Sequence, residues 1–204
     1  MIRNTRRRTL VALALAGLVL LLALVLPRLL VLDNAKLSDY IVVLDGHDEN
    51  YFAGLQLLRQ GRGSRMLVCL DLPDVPIEGD ELRRDRMFIE QTAGNLAERI
   101  ETCPNRDEDI YFLMNDLFRK SGVSSVLIVT PAACSRTQYI TSRRQLPKYD
   151  WSVRPTYDPT FSANWWGKRL WAKTFANAVV NLGIALTERR RTEQSVEQSA
   201  KSVN

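Results

Sequence analysis

The residues in this chain best suited to chemistry sit where apolar runs give way to polar ones. Asp45, Gly46 and His47 follow one such run, Asp71 a second, Asn105, Arg106 and Asp107 a third, and Thr130, Cys134 and Arg136 a fourth. A guanidinium can hold a phosphate or carboxylate through two parallel N–H donors, so Arg106 and Arg136 are candidates for an anionic ligand. His47 is the single histidine and has Asp45 and Asp48 beside it, a setting in which a general base is conceivable. The plainer reading is an exposed loop histidine. Cys134 would act as a nucleophile if Arg136 or a helix N-terminus lowered its pKa, but no base accompanies it. Asp45 opposes anion binding at close range unless Arg106 or Arg136 offsets its charge. Asp45, Asp71, Asp107 and Asp109 are the oxygen donors a divalent cation would require, yet they are dispersed over three loops. No metal site and no cofactor is expected.

The elements that must position these residues alternate in kind. Tyr40 to Leu44 is a continuous apolar, β-branched run, the pattern of a strand buried on both faces. Tyr51 to Gln60 has helical periodicity and is stopped by Gly61 and Gly63. Arg65 to Leu70 is a second strand, completing a βαβ unit with its right-handed crossover. Pro- and Asp-rich residues 71–81 form a loop, followed by a charged helix over Leu82 to Thr92 and a third strand over Ala97 to Cys103. Asp109 to Ser121 is a helix closed by Gly122, and Ser125 to Thr130 a fourth strand. A helix then ends near Pro147, Trp151 to Pro155 forms a fifth strand, and Trp165 to Leu186 a long final helix. The expected fold is therefore α/β, a Rossmann-like three-layer sandwich with a mainly parallel sheet. Such sheets bind ligands outside the carboxyl ends of their strands, where all of the residues named above would lie.

The chain has 204 residues and a net charge of +5, with 46% hydrophobic and 25% charged residues, values of a globular protein. The positive charge gathers at the ends, at Arg3, Arg6, Arg7 and Arg8 and at Arg189, Arg190 and Arg191. That placement speaks for membrane topology or lipid contact and against nucleic acid. Leu10 to Leu26 is apolar apart from Gly17, and Leu29 to Leu32 extends the run past Pro27 and Arg28. The first stretch would span roughly 25 Å as a helix and the whole run roughly 35 Å, against about 30 Å of bilayer core. The expected organisation is a cytoplasmic basic N-terminus over 1–8, a single transmembrane anchor over 9–32, one α/β domain over 38–188 and a disordered polar tail over 189–204. The arginines ahead of the anchor would stay cytoplasmic and the domain would lie outside the inner membrane. A cleaved signal peptide is the competing reading. The run exceeds a usual signal core, and only Asp33 to Ala35 offers a weak cleavage site. Cys69, Cys103 and Cys134 lack the spacing of a zinc site. They read as small buried hydrophobes, with one disulfide and one leftover thiol as the alternative outside the cytoplasm.

The order of anchor, apolar strand, loop, helix, then GxGSRMLV, VLIVTPAACSRTQYITSRRQLPKYDWSV and a Trp-Trp helix resembles the YdcF/SanA/ElyC-like family. The resemblance runs from about Ser38 to about Leu186 and is closest from Leu146 to Val153 and around Trp165, Trp166 and Trp171. It implies a Rossmann-like domain on a bacterial inner-membrane anchor, linked to envelope integrity and to peptidoglycan or lipid-carrier metabolism. It also implies a phosphate-bearing envelope precursor as ligand, and no reaction is implied. The site loops depart from the family pattern. Where the family has a VLGGG loop, this chain has Val43, Leu44, Asp45, Gly46 and His47. Where it has a His after the fourth strand, this chain has Cys134, while Arg136 keeps one basic residue of the motif. The hydroxyl-bearing loop after the third strand is replaced by Asn105 to Asp109. Two functions follow from these departures: a ligand-binding envelope protein, or a catalytically silent member serving as a structural or partner-binding membrane protein.

Overall fold

The structure is a computed structural model that describes residues 25, 28–44, 48–70, 80–104, 110–157 and 173–187. The expectations for the basic N-terminus, nearly all of the anchor, Trp165, Trp166, Trp171 and the polar tail fall outside the described residues. Among the described residues no helix is long and apolar enough to cross a membrane.

Five strands, β1 (Tyr40–Val43), β2 (Arg65–Leu70), β3 (Ile100–Pro104), β4 (Ser125–Pro131) and β5 (Asp150–Thr156), form one sheet in the order β3-β2-β1-β4-β5, and every pair is parallel. The intervening helices are α1 (Asp48–Arg59), α2 (Asp80–Ala93), α3 (Ile110–Lys120) and α4 (Ser135–Gln145), and α5 covers residues 173–187. This is a Rossmann-like α/β fold. β1 is fully buried at the centre, which is why its sequence is apolar without alternation. Its residues still divide between two cores. Ile41 and Val43 pack with Tyr51, Leu55 and Leu58 of α1 and Ile89 and Ala93 of α2. Tyr40 and Val42 pack with Met114 and Phe118 of α3 and with Trp151 and Val153 of β5.

Local chemistry sets the element ends. α1 stops at Gly61, whose φ of 71° lets its N–H reach the Leu58 carbonyl while Arg62 N–H reaches that of Leu57. Gly122, with φ of 65°, closes α3 in the same way, as Val123 N–H bonds to the Phe118 carbonyl. The third strand begins later than its composition suggests. Gly94–Arg99 is a 3₁₀ turn, and pairing starts at Ile100 opposite Met66. Leu96 and Ala97 belong to the α1–α2 core rather than to the ladder.

The chain enters the domain along the edge of β5. Asn34 N–H bonds to the Val153 carbonyl at 3.1 Å and its side-chain oxygen accepts Val153 N–H at 2.8 Å. Val31 and Leu32 are not helical, and Leu30 is buried against Ala133, Phe175 and Ala178. The last residues expected of the anchor thus pack as part of the domain.

Candidate functional site

In the order β3-β2-β1-β4-β5 the chain runs outward from β1 to β3 and then returns to the other side of β1 as β4. The switch point lies between β1 and β4, where open α/β sheets form their ligand crevice. Asp45, Gly46 and His47 follow β1, Asp71 follows β2, and Asn105, Arg106 and Asp107 follow β3; all lie outside the described residues. The carboxyl ends of β1, β2 and β3, which these residues follow in the chain, lie along one edge of the sheet. Among the described residues no three His, Cys, Asp or Glu side chains come together as a metal-binding group.

The carboxyl end of β4 and the start of α4 are described in full. Thr130 is buried, and its carbonyl lies 3.3 Å from Thr156 Oγ1. Thr156 donates its hydroxyl to Asn50 Oδ1 at 2.5 Å, tying the first turn of α1 to the end of β5. Cys134 is half-buried and stands at the N-terminal boundary of α4, where it makes no capping hydrogen bond to the helix. Ser135, which no local spacing singles out, ties the entering chain to the start of α4. It is fully buried, and its Oγ accepts Leu32 N–H at 2.9 Å while donating to the Ala132 carbonyl at 2.8 Å. Beside it, an Arg136 Nη lies 3.5 Å from the Val31 carbonyl, while the buried Nε has no partner among the described residues. The segment Leu30 to Leu32 is therefore fastened across the start of α4. Of the three expected residues here, Thr130 is buried, Cys134 is half-buried and Arg136 reaches the entering chain at Val31.

Asn50, Ser135 and Thr156 are missing from the sequence reading. Each owes its role to a partner about a hundred residues away, so no local spacing marks it. A groove of about 550 Å³ also lies outside the expected site, between the outer side of α1 and the end of β5. Phe52, Arg154 and Tyr157 are among its lining residues.

Comparison with known proteins adds little to this geometry. No family model matches the chain, and no curated protein matches it. Among solved structures it is similar to a protein from the universal stress protein family from Burkholderia pseudomallei. That likeness has 18% identity, covers 58% of this chain and 97% of the other, and has a TM-score of 0.34. At that distance it carries neither fold nor function.

Proposed function

We propose that the protein is a membrane-anchored YdcF-like domain acting in bacterial cell-envelope biogenesis or integrity, binding a phosphate-bearing ligand at the carboxyl edge of its sheet. The observation that carries this reading is the point at which the apolar N-terminal run meets the domain. Leu30 to Leu32 are held against Ser135 and Arg136, at the carboxyl end of β4. An anchor leaving from that end holds the crevice against the bilayer, where the head group of a lipid-linked precursor lies. α5 supports the same orientation. It packs on Leu30 through Phe175 and Ala178, has no charged residue between Lys173 and Glu188, and exposes Val180, Ile184 and Leu186. The Arg136 guanidinium would take the phosphate.

The test is calorimetric titration of the full chain in detergent with farnesyl phosphate, and with inorganic phosphate as the control for the head group alone. Farnesyl phosphate should bind, and Arg136→Ala should weaken it roughly 10–100-fold, the usual worth of a hydrogen bond to a charged group. Absence of heat with both probes sinks the ligand reading. Protease protection in membrane vesicles tests the orientation, and a domain found on the cytoplasmic side sinks the envelope assignment.

A second reading draws on the same contact. Leu30 to Leu32 cover the start of α4, and Thr130 is buried, which favours a silent member whose domain serves as a membrane-tethered scaffold. Full complementation by the triple variant Asp45→Ala, Cys134→Ala, Arg136→Ala would support it. Loss of complementation with the fold intact would exclude it.

A further inference from the structure

Cys69 and Cys103 are direct partners in the ladder between β2 and β3. Both side chains belong to the core on the α3 side of the sheet. The Cys103 thiol donates to Cys69 Sγ at 3.0 Å. Neighbouring strands lie about 4.8 Å apart, within the roughly 4.4–6.8 Å that disulfides span between Cα atoms. The sulfurs need to approach by only about 1 Å to reach bonding distance. We infer that this pair is the reduced form of a disulfide that joins β2 to β3 beneath the carboxyl edge, leaving Cys134 as the thiol outside the pair.

Cys134 does not compete for either partner. It follows β4, and β1 stands between β4 and β2, so about two strand spacings, or roughly 10 Å, separate it from Cys69. That exceeds the Cα separation of about 7 Å beyond which no disulfide closes without backbone movement. The odd cysteine count is thereby divided by the sheet itself into one pair and one remainder.

The position of the pair gives it a consequence. Each cysteine is the last but one residue of its strand, since β2 ends at Leu70 and β3 at Pro104. The loops that follow carry Asp71 and Asn105, Arg106 and Asp107. A covalent link at this height fixes the roots of both loops relative to each other, on the β2–β3 side of the ligand edge.

The oxidant is a protein disulfide of an oxidising compartment outside the cytoplasm. One cysteine attacks as thiolate and forms a mixed disulfide; the second displaces the carrier. The new S–S bond replaces the carrier's S–S bond, and the carrier leaves as a dithiol holding both hydrogens. Cys69 and Cys103 are both buried in the folded chain, so the exchange belongs to folding, before the strands close over the sulfurs.

Only the compartment rests on the envelope reading; the pairing rests on the sheet. Two measurements keep them apart. Full chain purified without reductant is denatured in the presence of a maleimide and weighed. One adduct is expected, rising to three after reduction, and Cys134→Ser should give none and then two. In the second measurement, the full chain is equilibrated in detergent with mixtures of reduced and oxidised glutathione, folded and in denaturant. Folding should shift the midpoint of pair oxidation toward the reduced side by at least about a hundred-fold, as expected for a cross-link closing a loop of this size. No shift, or a shift the other way, overturns the pairing. Three adducts from cell-made protein together with the expected glutathione shift overturns the oxidising compartment and leaves the pair standing.

Discussion

Replacing Ser135 by Ala should release the entering chain from the carboxyl edge without unfolding the sheet. Ser135 is fully buried, and its hydroxyl is the acceptor for Leu32 N–H at 2.9 Å. Alanine leaves that N–H without an acceptor. An orphaned buried donor costs about 1–3 kcal/mol, and partial access of water to Leu32 places the loss in the lower half, at about 1–2 kcal/mol. That is a factor of roughly 5–30 in the opening equilibrium. Leu30→Ala attacks the same contact from the apolar side. Leu30 is 1% exposed between Ala133, Phe175 and Ala178, and truncating such a leucine costs about 2–5 kcal/mol. The cluster is small and lies at the margin of the domain, so the lower end applies. Hydrogen exchange of the full chain in lipid nanodiscs, read by mass spectrometry, checks both. Peptides covering residues 30–36 should exchange faster in each variant, by roughly 5–30-fold for Ser135→Ala, while β1 and β4 keep their protection. Unchanged exchange in both variants would show that the segment is not fastened here. Equal loss of protection throughout the sheet would show that the contact belongs to the global fold and not to a local clasp.

Asp39 joins the start of β1 to that of β4: its Oδ2 accepts both the backbone N–H and the hydroxyl of Ser124 and of Ser125. These bonds, those from Ser124 foremost, lower its pKa from 3.8 to about 2. The folded value lies below the unfolded one, so the stabilisation is present above pH 4 and is lost as pH falls from about 4 to about 2. Screening by solvent limits it to about 1 kcal/mol; urea midpoints across that range should fall less steeply for Asp39→Asn, and identical slopes would refute the assignment. Gly54→Ala would place a Cβ 2.7 Å from Val43 Cγ2 and 2.9 Å from Met66 Sδ. The overpacking, about 1–3 kcal/mol, should outweigh the gain of about 1 kcal/mol in helix propensity. Thermal unfolding should therefore move to lower temperature, and an unchanged or raised Tm would refute the packing. Trp151 is buried among Phe118 and Tyr149 and donates its indole N–H to the Leu146 carbonyl at 2.9 Å. Trp151→Ala should cost about 3–5 kcal/mol in chemical denaturation, and a loss below about 1 kcal/mol would contradict that burial.

What the sequence made legible were the features written locally. Buried parallel strands read as unbroken apolar runs, so β1, β2 and β4 stand out, and Gly61 and Gly122 mark helix ends because their positive φ is a property of one residue. β3 is misplaced by three residues because Ala97 is apolar for the sake of a helix-side core, not of a strand. Ser135 shows the limit on the side of the site. A serine at the start of a helix reads as a local cap, and its actual partner, Leu32, lies 103 residues away. The cysteine pair is hidden for the same reason: 34 residues separate the two sulfurs, and only the register Cys69 to Cys103 brings them together.

The route of the entering chain also decides how firmly the carboxyl edge is oriented. Two ion pairs lie along β5, Arg154 with Asp33 at 2.9 Å and Lys36 with Asp150 at 3.2 Å, and all four side chains are substantially exposed. Exposed pairs of this kind contribute about 0–1 kcal/mol each, so they do not hold the segment. The two hydrogen bonds between Asn34 and Val153, the burial of Leu30 and the Ser135 hydroxyl do. They also cover part of β5, an edge strand whose unpaired N–H and carbonyl groups would otherwise template pairing with another chain. The same residues therefore protect the sheet and fix where the apolar run departs. A linker serving only as a flexible tether would need none of these contacts. Raising salt should leave the exchange of residues 30–36 unchanged, because burial and main-chain hydrogen bonds are insensitive to screening. A salt-driven loss of protection in that segment would return the orientation of the edge to its surface charges and remove the strongest support for a crevice that faces the membrane.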